Sequence, residues 1–258
     1  MKAADRHNKI VEIVMEKGRI SIPDICQQFN VSEMTARRDL KSLDRQGLLR
    51  RVHGGAITNL GRSYEPSFQS RSSENQKSKA AIGLAAADLV YDGESIALDV
   101  GTTTLEIVNG LRGKKNLTIV TSCLQIANKI VDQLSLGIDA RLILVGGIIR
   151  PRELSMIGSI PEQVYQDLHV DKAFIGIGGI SLKDGFTEYN IEDTQIKKIL
   201  IRNAQEKIVV ADGSKFGLTT FVSVAPINAV DKIVTDSTAP ANMITQIREQ
   251  GVEVILAN

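Results

Sequence analysis

The 258-residue chain contains no Trp, and aromatic residues make up only 4% of it. A core here has to be built from Ile, Val, Leu and Ala. Its two cysteines, Cys26 and Cys123, lie far apart without C-x-x-C spacing, which implies neither a disulfide framework nor a zinc site. Each reads instead as a small apolar residue. The three histidines, His7, His53 and His169, do not cluster, so no metal site is indicated. No window approaches 18 uncharged apolar residues, and Met1-Lys2-Ala3-Ala4-Asp5-Arg6 has no apolar h-region, which predicts a cytoplasmic protein. Two nucleotide fingerprints are missing as well. There is no G-x-x-x-x-G-K-[ST], and Gly176-Ile177-Gly178-Gly179-Ile180-Ser181 lacks the last glycine of G-x-G-x-x-G. No cofactor is expected.

What is present is globular material: 43% hydrophobic and 24% charged residues, in a chain longer than one typical domain of about 100–200 residues. The net charge of +1 conceals a division. Residues 1–79 carry 15 Lys and Arg against 9 Asp and Glu, whereas residues 80–258 carry 16 against 21. A basic head on an acidic body is what arises when one module meets a polyanion and the other does not, although scatter in surface charge gives the same totals.

The head predicts three helices. Ile10, Ile13, Val14 and Lys17 mark an amphipathic helix from about Asp5 to Glu16. Ser21-Ile22-Pro23-Asp24 caps a short second helix. Ser32 caps a third, which runs to about Gln46 and stops at Gly47. In that third helix Ala36, Leu40 and Leu43 turn inward, leaving Met34, Arg38, Lys41 and Arg45 outside with Thr35 and Arg37 flanking. A recognition helix enters the major groove N-terminus first, which places Ser32 to Arg38 nearest base edges and Lys41 and Arg45 nearer phosphates. Asp39 falls beside the apolar face and is expected to orient a neighbouring Arg. A merely solvated cationic helix would show the same face. The following Leu48–Ile57 segment tips the balance. It alternates like a two-stranded hairpin turning at Gly54-Gly55, and its Arg50, Arg51 and His53 can reach the backbone or minor groove. A basic flap after the third helix makes a winged helix-turn-helix.

Val31-Ser32-x-x-Thr35-x-Arg37-Arg38-Asp39-Leu40-x-x-Leu43, followed by Gly47-x-Leu49-x-Arg51-x-His53-Gly54-Gly55-Ala56, closely resembles the N-terminal signature of the DeoR family of bacterial transcription regulators. One departure is Ala36, where the family more often carries Ile or Val.

Residues 59–79 read as a polar linker between a DNA-binding domain at 1–58 and a second domain at 80–258, with Tyr64-Glu65-Pro66-x-Phe68 able to dock on a neighbour. Beyond it, apolar strand candidates at 95–100, 117–122, 141–145, 172–176, 207–211, 232–235 and 252–256 alternate with helical stretches. The pattern is that of an α/β fold with a mainly parallel sheet. Ligands in such sheets lie beyond the C-terminal strand ends, and four of these ends carry Gly, Ser or Thr. They are Asp99-x-Gly101-Thr102-Thr103-Thr104, Thr121-Ser122, Gly146-Gly147, and Gly176-x-Gly178-Gly179. Hydroxyls, close-approaching backbone and a helix N-terminus suit a small phosphorylated ligand, though ordinary strand-to-helix turns use the same residues.

Asp99-x-Gly101-Thr102-Thr103, Gly146-Gly147, Asp171-x-Ala173-Phe174-Ile175-Gly176 and Asp212-x-Ser214-Lys215-Phe216 also resemble the sensor domain of the DeoR family. That resemblance implies the fold of ribose-5-phosphate isomerase and glucosamine-6-phosphate deaminase, with Lys215 as a charge partner for a ligand phosphate. It raises an alternative, a sugar-phosphate isomerase or deaminase with an appended DNA-binding domain. Where the isomerase carries an Asp-rich motif, this chain has Gly176-Ile177-Gly178-Gly179-Ile180, and no carboxylate is expected at that strand end to shuttle a proton. Only Glu188, Glu192 and Asp193 remain nearby in sequence. The expectation is therefore a repressor of a sugar-catabolism operon, not an enzyme. It would bind double-stranded operator DNA through its head, respond to a phosphorylated sugar in its body, and act as a homodimer or homotetramer.

Overall fold

The computed structural model describes residues 3–58 and 61–258; positions 1, 2, 59 and 60, which fall in the expected DNA-binding domain and at the start of the expected linker, lie outside the described residues. The chain divides into two compact units, Met1–Arg71 and Ser72–Asn258.

In the first unit, α1 (Ala3–Lys17), β1 (Arg19–Ser21), α2 (Ile22–Phe29) and α3 (Glu33–Arg45) precede the wing strands β2 (Arg50–Val52) and β3 (Gly55–Ile57). Ser21 accepts from the Asp24 amide while Asp24 accepts from the Ser21 amide, a reciprocal cap that starts α2. Asn30, at φ 50°, ends that helix in the left-handed conformation. Ile10, Val14, Ile25, Phe29, Ala36, Leu40, Leu43 and Leu49 form the core, so the small Ala36 is fully buried.

The wing differs from the expected hairpin in two ways. Its sheet has three strands in the order β1-β3-β2, with Ile20 opposite Ala56 and Arg51 opposite Ala56 on the other side. The turn is His53-Gly54, with Gly54 at φ +84°, and Gly55 opens β3. A Cβ on Gly55 would lie 2.2 Å from the Ile20 carbonyl oxygen, so it is the approach of β1 that requires this glycine.

The segment expected to be a linker is partly folded onto the head. Tyr64 donates to the Met15 carbonyl at 2.5 Å and Ser70 to the Glu16 carbonyl at 3.2 Å. These two bonds satisfy carbonyls at the C-terminal end of α1, which an isolated helix leaves to water. Arg71 holds Pro66 O and Glu65, and Phe68 at the start of α4 (Phe68–Ser73) is buried. The division between units thus falls after Arg71, well beyond the wing.

The second unit opens with α5 (Gln76–Ala87). It continues through β4 (Ser95–Leu98), α6 (Thr104–Gly110), β5 (Leu117–Thr121), α7 (Leu124–Leu134), β6 (Ala140–Leu144), β7 (Ile148–Ile149), β8 (Met156–Ile157) and α8 (Ser159–Gln166). Next come β9 (Lys172–Gly176), β10 (Gly179–Ser181), β11 (Gly185–Glu188), α9 (Ile191–Asn203), β12 (Glu206–Val210), β13 (Val222–Ala225), β14 (Lys232–Asp236), α10 (Ala241–Glu249) and β15 (Glu253–Ala257). Seven strands form one parallel sheet in the order β15-β14-β12-β9-β4-β5-β6. From β4 the chain builds outward through β5 to β6, then returns to β9 and builds outward the other way. The order therefore reverses between β4 and β9, where open α/β sheets form their ligand crevice. Two small antiparallel additions, β7-β8 and β10-β11-β13, complete the unit. Among the described residues, no helix is long and apolar enough to cross a membrane.

Candidate functional site

The head presents its cations as the helical spacing requires. Arg38, Lys41 and Arg45 are exposed on α3, and Met34 stands 72% exposed among them. Ser32 caps the helix by accepting from the Thr35 amide, and its hydroxyl also meets the Thr35 hydroxyl at 3.0 Å. Arg37 is exposed but clipped to Glu33 by two hydrogen bonds of 2.5 and 2.9 Å. Arg50, Arg51 and His53 are exposed on the wing. The Arg51 amide donates to Asp44 on α3 at 2.9 Å, which fixes the wing against the recognition helix.

Asp39 does not orient Arg37 or Arg38. It is buried and takes Arg6 of α1 in a fork, at 2.6 Å from Nε and 3.2 Å from Nη2, with His7 Nε2 3.0 Å away. Burial alone would raise its carboxyl, but the bonds from Arg6 and His7 outweigh that and hold it below the ordinary range. The ion pair ties α1 to α3 and so sets the attitude of the recognition helix.

The body's site assembles at the switch point. Asp99 follows β4 and is buried; its Oδ2 accepts from the Gly176 amide at 3.1 Å, joining the ends of β4 and β9. Lys197 of α9 donates to that same oxygen at 2.5 Å and to the Gly176 carbonyl at 2.9 Å, with Glu188 Oε2 at 3.3 Å. Asp193, one turn earlier on α9, is bound by Arg150 from the β7–β8 connection. Burial pushes Asp99 up to about 6 against the pull of Lys197, and pushes Asp193 upward against the pull of Arg150. Burial would lower Lys197, but Asp99 and Glu188 outweigh it and hold the ammonium form.

The expected ligand residues divide into three groups. Asp99, Gly101, Thr102, Thr103, Gly176 and Gly178 gather at the switch point. A Cβ on Gly176 would lie 2.9 Å from the Val100 carbonyl, and one on Gly178 only 2.7 Å from Glu188 Oε1, so both glycines let neighbours close in. Thr103 precedes α6 without making a capping bond, and α6 itself is only seven residues long. Thr104 and Thr121 serve the backbone instead. Their hydroxyls donate to the Gly101 and Leu98 carbonyls at 2.8 and 2.7 Å, closing the two strand-to-helix turns. Ser122, buried, sits beside Asp99 at the end of β5.

Gly146 and Gly147 are exposed beyond β6, at the sheet edge two strands from β4. A Cβ on Gly147 would meet the Ile157 carbonyl at 2.8 Å and the Pro161 ring at 2.9 Å, so this glycine answers to packing. Lys215 is half-buried in a 3-10 turn after β12. Its partner Asp212 accepts from Asn75 and the Ser214 amide at 3.0 Å; burial raises that carboxyl, but Lys215 and these bonds hold it low.

The expectation of a strand end without carboxylates needs correction. Asp99 arrives from β4 and Glu188 from β11, and Lys197 neutralises both. Lys197 and Arg150 were not anticipated. A signal existed: Asp193 and Lys197 are spaced i, i+4 on a helix following a glycine-rich strand end.

A winged helix-turn-helix with a cationic recognition face, attached to a parallel α/β body whose polar strand ends meet at a switch point, defines a DNA-binding transcriptional regulator. The chain belongs to the DeoR family: residues 6–60 match the DeoR-like helix-turn-helix domain and residues 74–237 the DeoR C terminal sensor domain. It is 30% identical over 256 residues to the glycerol-3-phosphate regulon repressor of Escherichia coli K12, covering 99% of this chain and 100% of that one. It is 28% identical over 253 residues to the regulator GolR of Listeria innocua, covering 98% of each. These relatives are regulators, not enzymes. Among solved structures, ribose 5-phosphate isomerase from Plasmodium falciparum matches with a TM-score of 0.38 at 16% identity, over 55% of this chain and 52% of that one. The full-length sorbitol operon regulator SorC from Klebsiella pneumoniae matches with 0.36 at 15%, over 83% and 90%.

Proposed function

We propose that this regulator represses a sugar-catabolism operon in the cytoplasm and that a phosphorylated sugar, bound at the switch point, relieves or modulates the repression. The observation that carries this reading is the junction of Asp99 with the Gly176 amide, flanked by the Gly101-Thr102-Thr103 turn. Backbone amides and hydroxyls there suit a phosphate, while Lys215 at a nearby strand end adds a cation. A relative that bears glycerol-3-phosphate in its name supports the ligand class.

On the DNA side, Arg38 reads a base edge, with Ser32, Met34, Thr35 and Arg37 nearby; Lys41 and Arg45 take phosphates, as do Arg50, Arg51 and His53 of the wing. A winged head covers a short half-site, so the working species is a homodimer or homotetramer on a two-fold operator. The ligand acts only if it binds one arrangement of the heads better than another.

A thermal-shift panel of pentose, hexose and triose phosphates, followed by fluorescence anisotropy on an operator selected from random DNA, tests the proposal. A sugar phosphate should raise the melting temperature and change operator affinity. Absence of any shift across the panel would argue for a regulator without an effector, and turnover of a phosphosugar for an enzyme.

A further inference from the structure

Beside Asp99 the body buries polar atoms that its own fold leaves unused. The Tyr165 hydroxyl of α8 and the Ser155 hydroxyl before β8 are both out of contact with solvent and form no hydrogen bond. Their residues are 2% and 1% exposed. Tyr165 is near enough to Ser122, and Ser155 to Asp193, for each pair to interact weakly, but neither hydroxyl reaches full hydrogen-bond geometry. The setting is fixed by backbone. The Met156 amide donates to the Ser122 carbonyl at 2.7 Å, so β8 covers the end of β5, the strand next to β4. Buried hydroxyls without partners are rare in folded proteins and mark places completed by something else.

We infer that Ser122, Ser155, Tyr165 and Asp193 form a subsite that reads the hydroxyl groups of the ligand's carbon chain, while its phosphate stays on the Gly101–Thr103 side. This inference rests on the proposed function and adds to it which end of the ligand enters. Charge decides the orientation. Asp99, Glu188, Asp193 and the buried Glu153 bring four carboxylates to this region against the two cations Lys197 and Arg150. A second anion is disfavoured there. A neutral polyol is favoured, because each of its hydroxyls donates to a carboxylate and exchanges bonds with Tyr165 and Ser155. Tyr165 is held for this task from behind. Asn203 donates to its carbonyl at 3.1 Å, and its ring packs in the core with Ala97, Val120 and Val145.

The test compares wild type with Tyr165→Phe and Ser155→Ala by calorimetric titration of the full-length protein. The probes are inorganic phosphate and the best-binding sugar phosphate of a pentose and hexose panel. Both substitutions remove a hydroxyl that makes no full hydrogen bond in the ligand-free protein, so both should fold with a melting temperature within about 2 °C of wild type. Each should weaken sugar-phosphate binding about fivefold to tenfold and leave inorganic phosphate within about twofold. Sugar-phosphate affinity that is equal in wild type and both variants would overturn the subsite while leaving the ligand class standing. Equal losses for both probes would overturn the orientation. If wild type binds no sugar phosphate, the proposed function fails with it.

Discussion

Lys197 and Asp99 meet at 2.5 Å, both side chains 1% exposed, across the line where the sheet reverses its order. Two buried charges cost several kcal/mol each to remove from water, and only their attraction and further hydrogen bonds offset that. Here the further bonds are supplied: Gly176 contributes its carbonyl to Lys197 and its amide to Asp99. Lys197→Met should therefore destabilise the body by about 3–5 kcal/mol, because Asp99 and Glu188 stay behind without their cation. Urea unfolding of the full chain measures it. Asp99→Asn in the same background should recover part of the loss, and strict additivity of the two substitutions would show that the pair is not coupled.

The same pair sets a pH dependence. Asp99 sits at about 6 when folded against 3.8 ordinarily, so between those values the folded body binds a proton that the unfolded chain releases. Its stability contribution is complete below 3.8 and is lost as pH rises through about 6. Asp193 shifts the same way. Asp39, Asp171 and Asp212 are held low and act oppositely, contributing above 3.8 and losing that contribution as pH falls through their lowered values. Relative to Asp99→Asn, wild-type stability should decline from pH 4 toward pH 7. Denaturant titrations that run parallel for the two proteins over that range would refute the assignment.

These buried charges were the least legible part of the sequence, and the parallel sheet the most. All seven sheet strands lie within two residues of the expected spans at either end, because near-continuous Val, Ile and Leu runs between turn residues have few other uses. Strands β1, β7, β8, β10, β11 and β13 span two to four residues each, too short for any periodicity to register. Lys197 and Asp99 are 98 positions apart, and nothing local to either indicates that a lysine will be fully enclosed. Likewise Gly147 and Thr104 have the residue types of a phosphate loop, yet serve a proline ring and a carbonyl. Residue type at a strand end does not reveal which hydroxyls the backbone already uses; packing decides that.

On the DNA face, Arg38 and Lys41 should separate by role. Both are exposed, and no described side chain forms an ion pair with either, so substitution removes DNA contacts without unpairing a carboxylate. Arg38→Ala should cost about 1–3 kcal/mol on the selected operator and relax preference at one base position. Lys41→Ala should weaken operator and random DNA alike and lower the salt slope by about 1. Anisotropy titrations at several salt concentrations distinguish them, and equal losses on both DNAs for Arg38→Ala would move that residue to the phosphates.

Gly83 on α5 reaches the Gly101–Thr103 turn through α6. A Cβ there would lie 2.5 Å from the Glu106 carbonyl carbon and 2.7 Å from its oxygen, so the two helices cross with backbone nearly in contact. Gly110 on α6 is as close to α5, its Cβ position 2.5 Å from Ala87. In an exposed helix Gly83→Ala would stabilise by about 1 kcal/mol through helix propensity. Here the methyl meets backbone that cannot rotate away, and the net effect should be a loss of about 1–3 kcal/mol. Since α6 begins at Thr104, directly after the Gly101–Thr103 turn, prying the helices apart also displaces that turn, the proposed phosphate side. Gly83→Ala should thus lower the thermal midpoint and weaken sugar-phosphate binding together while operator affinity without ligand stays unchanged. A stabilised variant with normal ligand response would show that the crossing is looser than its distances imply.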